Sequence, residues 1–134
     1  MELMSLLQLR IVEDMLCQIR ESILQLEDWN GSYADIDELL SSPEGMKTLA
    51  ADCMLLEAIG EGFKRVDERT SQQLLCYRPE IPWKAVKGMR DQIAHGYFNI
   101  NSDIVWDVVT NDLPKLHNAV DYLIEHLYET MPFE

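Results

Sequence analysis

Apolar residues recur along the first thirty positions at Val12, Leu16, Ile19, Ile23 and Leu26, in steps of four, three, four and three. That rhythm is one face of an α-helix, and it predicts an amphipathic helix over about 3–28. The stretch WNGSYADIDELLSS interrupts it at Asn30 and Gly31 and leaves room for a short helix around Asp35–Leu40. Ser42-Pro43 reads as an N-cap followed by proline in a first turn. Beyond it Met46, Leu49, Cys53, Leu56 and Phe63 trace one face, widened by Leu55, Ile59 and Val66. A second long helix over 43–69, apolar around much of its circumference, is therefore expected at the centre of the fold. Gly60 and Gly62 lie inside it, each costing about 1 kcal/mol relative to alanine, so another backbone is expected to approach closely there.

The segment CYRPEIPW, with two prolines, reads as an extended connector. Pro82 can open a third helix running to about His95, with Gly96 suited to the position just past its end. Asn101-Ser102 caps a short helix over Asp103–Val109, and Asp112 and Pro114 mark a further start. Leu116, Val120, Leu123 and Leu127 then give the spacing of a last long helix. No segment shows sustained two-residue alternation or a hairpin signal. The expected fold is all-α: an antiparallel up-down helical bundle with short accessory helices, one domain over residues 1–134.

Composition narrows this picture little. A hydrophobic fraction of 47 % and a charged fraction of 26 % over 134 residues suit a soluble globular domain with one core. No apolar run approaches the roughly 20 residues that span a bilayer, so no membrane is called for. MELMSLLQLRIVEDML lacks a basic leader and a small-residue cleavage site and reads as the start of a mature helix in a cytoplasmic protein. Cys17, Cys53 and Cys76 are odd in number and widely spaced, which favours reduced thiols over a disulfide framework or a zinc site.

Charge changes the picture more. The net charge of −13 argues against a partner made of phosphates, but its distribution is uneven. Residues 64–90 hold seven bases (Lys64, Arg65, Arg69, Arg78, Lys84, Lys87 and Arg90) against three acids, a local charge of +4. An acidic body around a basic block can bind a phosphate locally while repelling bulk nucleic acid, although an ordinary uneven surface would look the same.

At the end of that block stands MRDQIAHGYFNI, with Arg90 five residues before His95 and Tyr97 two residues after it. On a regular helix the five-residue step leaves Arg90 and His95 about 140° apart, so they do not share a face. Either the helix ends or tightens between them, or they face different neighbours, a difficulty that two copies across a two-fold axis would relieve. Histidine can take a proton from a ribose 2′-OH or give one to a leaving 5′-oxygen, and arginine's planar fork matches a phosphate. Such RNA cleavage needs no metal and no cofactor. Lys84, Lys87 and Arg90, in steps of three, can form a cationic track for an RNA backbone or simply a solvated face.

The string MRDQIAHGYFNINSDIVWDVVTNDLPKL, together with LLEAIGEGFKRV, closely resembles HepT-like proteins of the HEPN superfamily over about residues 45–125. The hallmark R-x4-6-H, often followed by x-Y, reads here Arg90-Asp-Gln-Ile-Ala-His95-Gly-Tyr97. The resemblance implies a HEPN-like bundle that forms a homodimer with motifs from both subunits in one composite cleft. It implies a metal-independent endoribonuclease toxin of a type VII toxin–antitoxin system. Its partner would be a MntA-like nucleotidyltransferase antitoxin that neutralises the toxin by transferring AMP to the motif tyrosine. Carried onto this chain, Arg90 binds phosphate, His95 is the acid/base and Tyr97 is the AMP acceptor. One departure is Asp91, where asparagine is frequent in the motif. With the acidic surface, it keeps an alternative open: a non-catalytic helical module that binds a minimal nucleotidyltransferase.

Other pairings have plainer readings. Glu57 and Glu61 step by four as helical metal ligands do, but without facing partners they are expected to be solvated or, for Glu61, paired with Arg65. His117 and Asp121 are expected to support the surface, His126 has no evident partner, and Trp83 and Trp106 are expected to pack, with base stacking the sharper alternative.

Overall fold

The computed structural model describes residues 4–94 and 99–131. Three long helices carry the architecture: α1 (Leu6–Asn30), α3 (Pro43–Arg69) and α7 (Leu113–Thr130). Shorter helices lie between them: α2 (Ile36–Leu40), α4 (Trp83–Lys87), α5 (Met89–Ile93) and α6 (Ser102–Asp107). The chain is all-α, as the periodicity predicts; its described residues include an isolated antiparallel bridge between Ala94 and Ile100.

Side-chain contacts fix the helix directions. Asn30 meets Asp52 while Ile19 lies against Gly62, so α3 runs antiparallel to α1. Glu27 meets His117, Arg20 meets Asp121 and Glu13 meets Tyr128, so α7 is antiparallel to α1 as well. Helix α1 thus packs between α3 and α7, and α4, α5 and α6 cover α3 from its other side. The buried side chains, including Leu16, Ile23, Leu56, Phe63 and Leu123, form one continuous cluster.

Local chemistry explains the boundaries. Ser5 caps α1 through a reciprocal box with Gln8, and Ser42 accepts from the Gly45 N–H at 3.0 Å ahead of Pro43, as the sequence signal predicts. Helix α3 spans the predicted 43–69, but Met46, expected on its core face, is exposed. Here Gly45, one position and about 100° away, makes the contact instead, packing on α2 at Leu39.

Gly60 admits a backbone neighbour, since a Cβ there would stand 2.8 Å from the Val86 carbonyl oxygen of α4. Gly62 instead accommodates a side chain, Ile19 of α1, at 2.9 Å.

Two departures from the sequence reading shape the site. The expected third helix is broken at Gly88 into α4 and α5, and it stops at Ile93, two residues before His95. Also, α6 and α7 are not separate starts. A π-helical turn over Val108–Asp112 joins them, with the Leu113 N–H bonded to the Val108 carbonyl five residues back. Pro114 has no N–H to give the preceding turn and its ring crowds the carbonyl four residues earlier, so the widened turn absorbs a proline read as a helix start.

Polar groups are scarce in the interior. Asp52 is 1 % exposed, and its Oδ1 accepts from Asn30 Nδ2 at 2.7 Å; its Oδ2 and the Asn30 Oδ1 have no hydrogen-bond partner among the described residues. Burial pushes the Asp52 carboxyl up from 3.8 to about 6, against the opposing pull of the Asn30 bond. A carboxyl raised in the folded state contributes stability below pH 4 that is lost as pH rises through about 6. Asp52→Asn, which keeps the Asn30 contact and offers an N–H in place of the unpaired oxygen, is expected to stabilise the fold above pH 6 by roughly 1–2 kcal/mol. Urea titrations of both chains between pH 4 and 8 check this; curves that stay parallel across the range would refute it.

All three cysteines are free: Cys17 and Cys53 lie within α1 and α3, and Cys76 is exposed. Burial, with Glu57 and Asp52 nearby, pushes the Cys53 thiol up to about 11, which keeps it in its unreactive form.

Candidate active site

Arg90 lies in the second position of α5, exposed, with its carbonyl accepting from the Ala94 N–H at 3.2 Å. Ala94 is fully extended (φ −155°, ψ 142°), so the helix ends between Arg90 and His95. The first of the two alternatives therefore holds, and the 140° offset of a regular helix no longer calls for a second subunit. His95, Gly96, Tyr97 and Phe98 lie outside the described residues. The ends of their segment are tied together by the Ala94–Ile100 bridge and by a 2.8 Å bond from the Asn101 N–H to the Ile93 carbonyl.

The Arg90 side chain lines an open groove of about 490 Å³ between α1 and α3. Met15, Gln18, Ile19 and Ser22 of α1 form one wall; Met54, Glu57, Glu61, Gly62 and Arg65 of α3 form the other. A second groove of about 470 Å³, lined largely by apolar side chains such as Ile81, Val86, Met89 and Leu116, lies against α4, α5 and α7 and does not include Arg90.

The cations of the central block separate by employment. Lys87 Nζ stands 2.7 Å from Oδ2 of the buried Asp67, tying α4 to α3. That contact turns one member of the expected RNA track into the counter-ion of a buried carboxylate. Arg78 pairs with Glu80 and lies 5.0 Å over the Tyr122 ring. Lys84 is exposed on α4. Gly88 breaks the helix between Lys87 and Arg90, so the three cations do not continue along one regular face. Among the described residues neither Arg65 nor Arg90 makes an ion pair, and of the two readings for Glu61, solvation or a pair with Arg65, the first holds: Glu61 is exposed.

Elsewhere the plain readings hold. Trp83 packs its ring 4.9 Å from Phe63 and donates Nε1–H to the Arg78 carbonyl, and Trp106 is half-buried against the core. His117 sits between Glu27 (2.8 Å) and Asp121 (3.4 Å), supporting the α1–α7 surface. His126 finds the partner that sequence did not supply, Glu129 at 2.9 Å. No group of three or more metal-ligating side chains occurs among the described residues, and no described helix is long and apolar enough to cross a membrane.

Against known families, the model described as ribonuclease HepT-like matches residues 19–123, which include the second half of α1, all of α3 and the whole motif segment. The chain belongs to this family. A Methanocaldococcus jannaschii protein named "Putative RNase MJ0127" is 31 % identical over 116 residues, 87 % of this chain and 89 % of that one. A Thermococcus cleftensis protein named "Probable ribonuclease HepT" is 31 % identical over 111 residues, 83 % of this chain and 94 % of that one. No solved structure matches at a significant level. The expected resemblance is thus established at the level of family and fold, and it places this HepT-like chain among ribonucleases. What sequence reasoning missed in the HepT-like site is the company of Arg90: Glu57, Glu61 and Arg65 come from another helix, and no local spacing links them to it.

Proposed function

We propose that this HepT-like chain is a metal-independent endoribonuclease, the toxin of a type VII toxin–antitoxin system. The observation that supports it most directly is Arg90, an exposed guanidinium without an ion pair among the described residues, lining an open groove and carried by the helix that ends two positions before His95 in the sequence. In this reading Arg90 holds the scissile phosphate and offsets the charge that builds on phosphorus. His95 exchanges protons with the attacking 2′-hydroxyl and the leaving 5′-oxygen. The 2′-oxygen forms a bond to phosphorus as the 5′-oxygen bond breaks, leaving a 2′,3′-cyclic phosphate and a free 5′-hydroxyl. Lys84 is available to a neighbouring backbone phosphate, and Lys87 acts chiefly by neutralising Asp67.

The test is incubation of the purified chain with total RNA in excess chelator. Cleavage that persists and leaves cyclic phosphate ends supports the reading; cleavage that needs added metal, or none at all, rejects it. An inactive chain that also leaves cell growth unaffected would favour the interaction-module alternative.

Regulation by a MntA-like nucleotidyltransferase belongs to the same reading, as does a homodimer with a composite cleft. The Tyr97 hydroxyl would attack the α-phosphorus of a nucleoside triphosphate, losing its proton and expelling pyrophosphate, and so gain AMP. The added phosphate and base would obstruct RNA by charge and volume. After co-expression with the transferase, intact mass is expected to rise by whole AMP units, and Tyr97→Phe to abolish the rise. An unchanged wild-type mass would count against it.

A further inference from the structure

The groove that holds Arg90 contains a second arginine that the motif does not name. Arg65 is carried by α3, twenty-five positions earlier in the chain, yet both side chains line the same space. Glu61 precedes Arg65 by four residues, the arrangement in which an acid and a base pair most readily on a helix. No such pair is formed, and Arg65 is exposed and without an ion pair among the described residues. Two guanidiniums, each with its fork of donors available, thus share one channel, whereas Lys87 and Arg78 of the same basic block are tied to carboxylates.

A single strand of RNA presents a phosphate at every nucleotide, so an enzyme that grips the scissile phosphate gains hold and register from a cation at a neighbouring one. Glu57 and Glu61 line the same wall and work in the opposite sense. They make the channel hostile to indiscriminate polyanion binding and leave the arginines as its points of attachment, which accounts for an RNA site on a chain of net charge −13. We propose that Arg65 is a second phosphate-binding residue of this site, contacting the backbone of a single-stranded RNA next to the phosphate held by Arg90. This rests on the ribonuclease reading.

The experiment uses the full chain with His95→Ala, which prevents turnover, and a fluorescein-labelled single-stranded RNA of mixed sequence as probe. Affinity is followed by anisotropy from low to moderate salt. Adding Arg65→Ala is expected to weaken binding about 3- to 10-fold and to make the plot of log affinity against log salt shallower by about 0.7, the counter-ion release of one single-strand phosphate contact. Arg65→Lys should restore the salt slope and part of the affinity, because it keeps the charge and loses the fork. Arg69→Ala, an exposed base on the same helix that does not line the groove, should leave both unchanged. In the His95-intact chain, Arg65→Ala should raise KM more than it lowers kcat.

Unchanged affinity and slope in Arg65→Ala would overturn the proposal, and so would weakened binding with an unchanged slope, or an equal loss in Arg69→Ala. If Arg65 governs binding as stated but the His95-intact chain cuts no RNA, the catalytic reading fails and the binding assignment stands. No RNA binding by the His95→Ala chain would remove both.

Discussion

His95→Ala is expected to lower the rate of RNA cleavage about 10²- to 10⁴-fold, the range lost when a positioned acid–base group is removed. Arg90→Ala should cost about 10²- to 10³-fold, as loss of a charge-stabilising donor does, and Arg90→Lys should recover little of it because a point charge does not reproduce a planar fork. Neither change should alter thermal unfolding appreciably. Arg90 is exposed, and the base of the His95 segment is tied by backbone bonds between Ile93 and Asn101 and by the Ala94–Ile100 bridge, which no side chain supplies. The double variant carries the sharper information. If both groups act on one transition state, removing the second after the first costs far less than its single effect. Losses that multiply would mean that Arg90 and His95 serve separate steps, and a His95→Ala chain that cuts as fast as wild type would end the catalytic assignment.

The parts of this molecule that were legible in sequence are those governed by short-range rules. Helix α3 could be bounded at Ser42 and Arg69 because an N-cap, a following proline and an uninterrupted apolar face all lie within the helix itself. Helix α1 was placed within a few residues for the same reason. The break at Gly88 leaves no mark in the pattern because Val86, Met89 and Ile93, all buried, keep helical spacing across it. Periodicity records which residues face the core, and a kink that preserves that facing leaves it unchanged. Pro114 misled in the opposite direction, since a π turn lets a helix continue through a residue that ordinarily begins one. The site divides along the same line. Arg90 was legible as one end of a local motif, while its groove-mate Arg65 and the Asp67 that occupies Lys87 lie on a helix that only tertiary packing brings near.

Gly45→Ala should be the most damaging conservative change in the fold. A Cβ built at Gly45 would stand 1.7 Å from the Leu39 carbonyl oxygen and 2.7 Å from its carbonyl carbon. Both are backbone atoms, so no rotamer change relieves the overlap, and α2 must move off the first turn of α3 or that turn must unwind. Displacing α2 would also disturb Leu39, which is fully buried. The expected loss is about 3 kcal/mol, at the upper end for overpacking, which corresponds to a fall in Tm on the order of 10 °C for a domain of this size. Gly62→Ala supplies the contrast: its Cβ would meet the side chain of Ile19 at 2.9 Å, and a side chain can yield, so about 1 kcal/mol or less is expected. Thermal and urea unfolding of the two variants distinguish these outcomes, and equal stabilities would show that the α2–α3 junction is far softer than the close approach implies. Because α2 contributes nothing to the groove that holds Arg65 and Arg90, the folded fraction of Gly45→Ala should still cut RNA at low temperature, separating what holds this chain together from what lets it act.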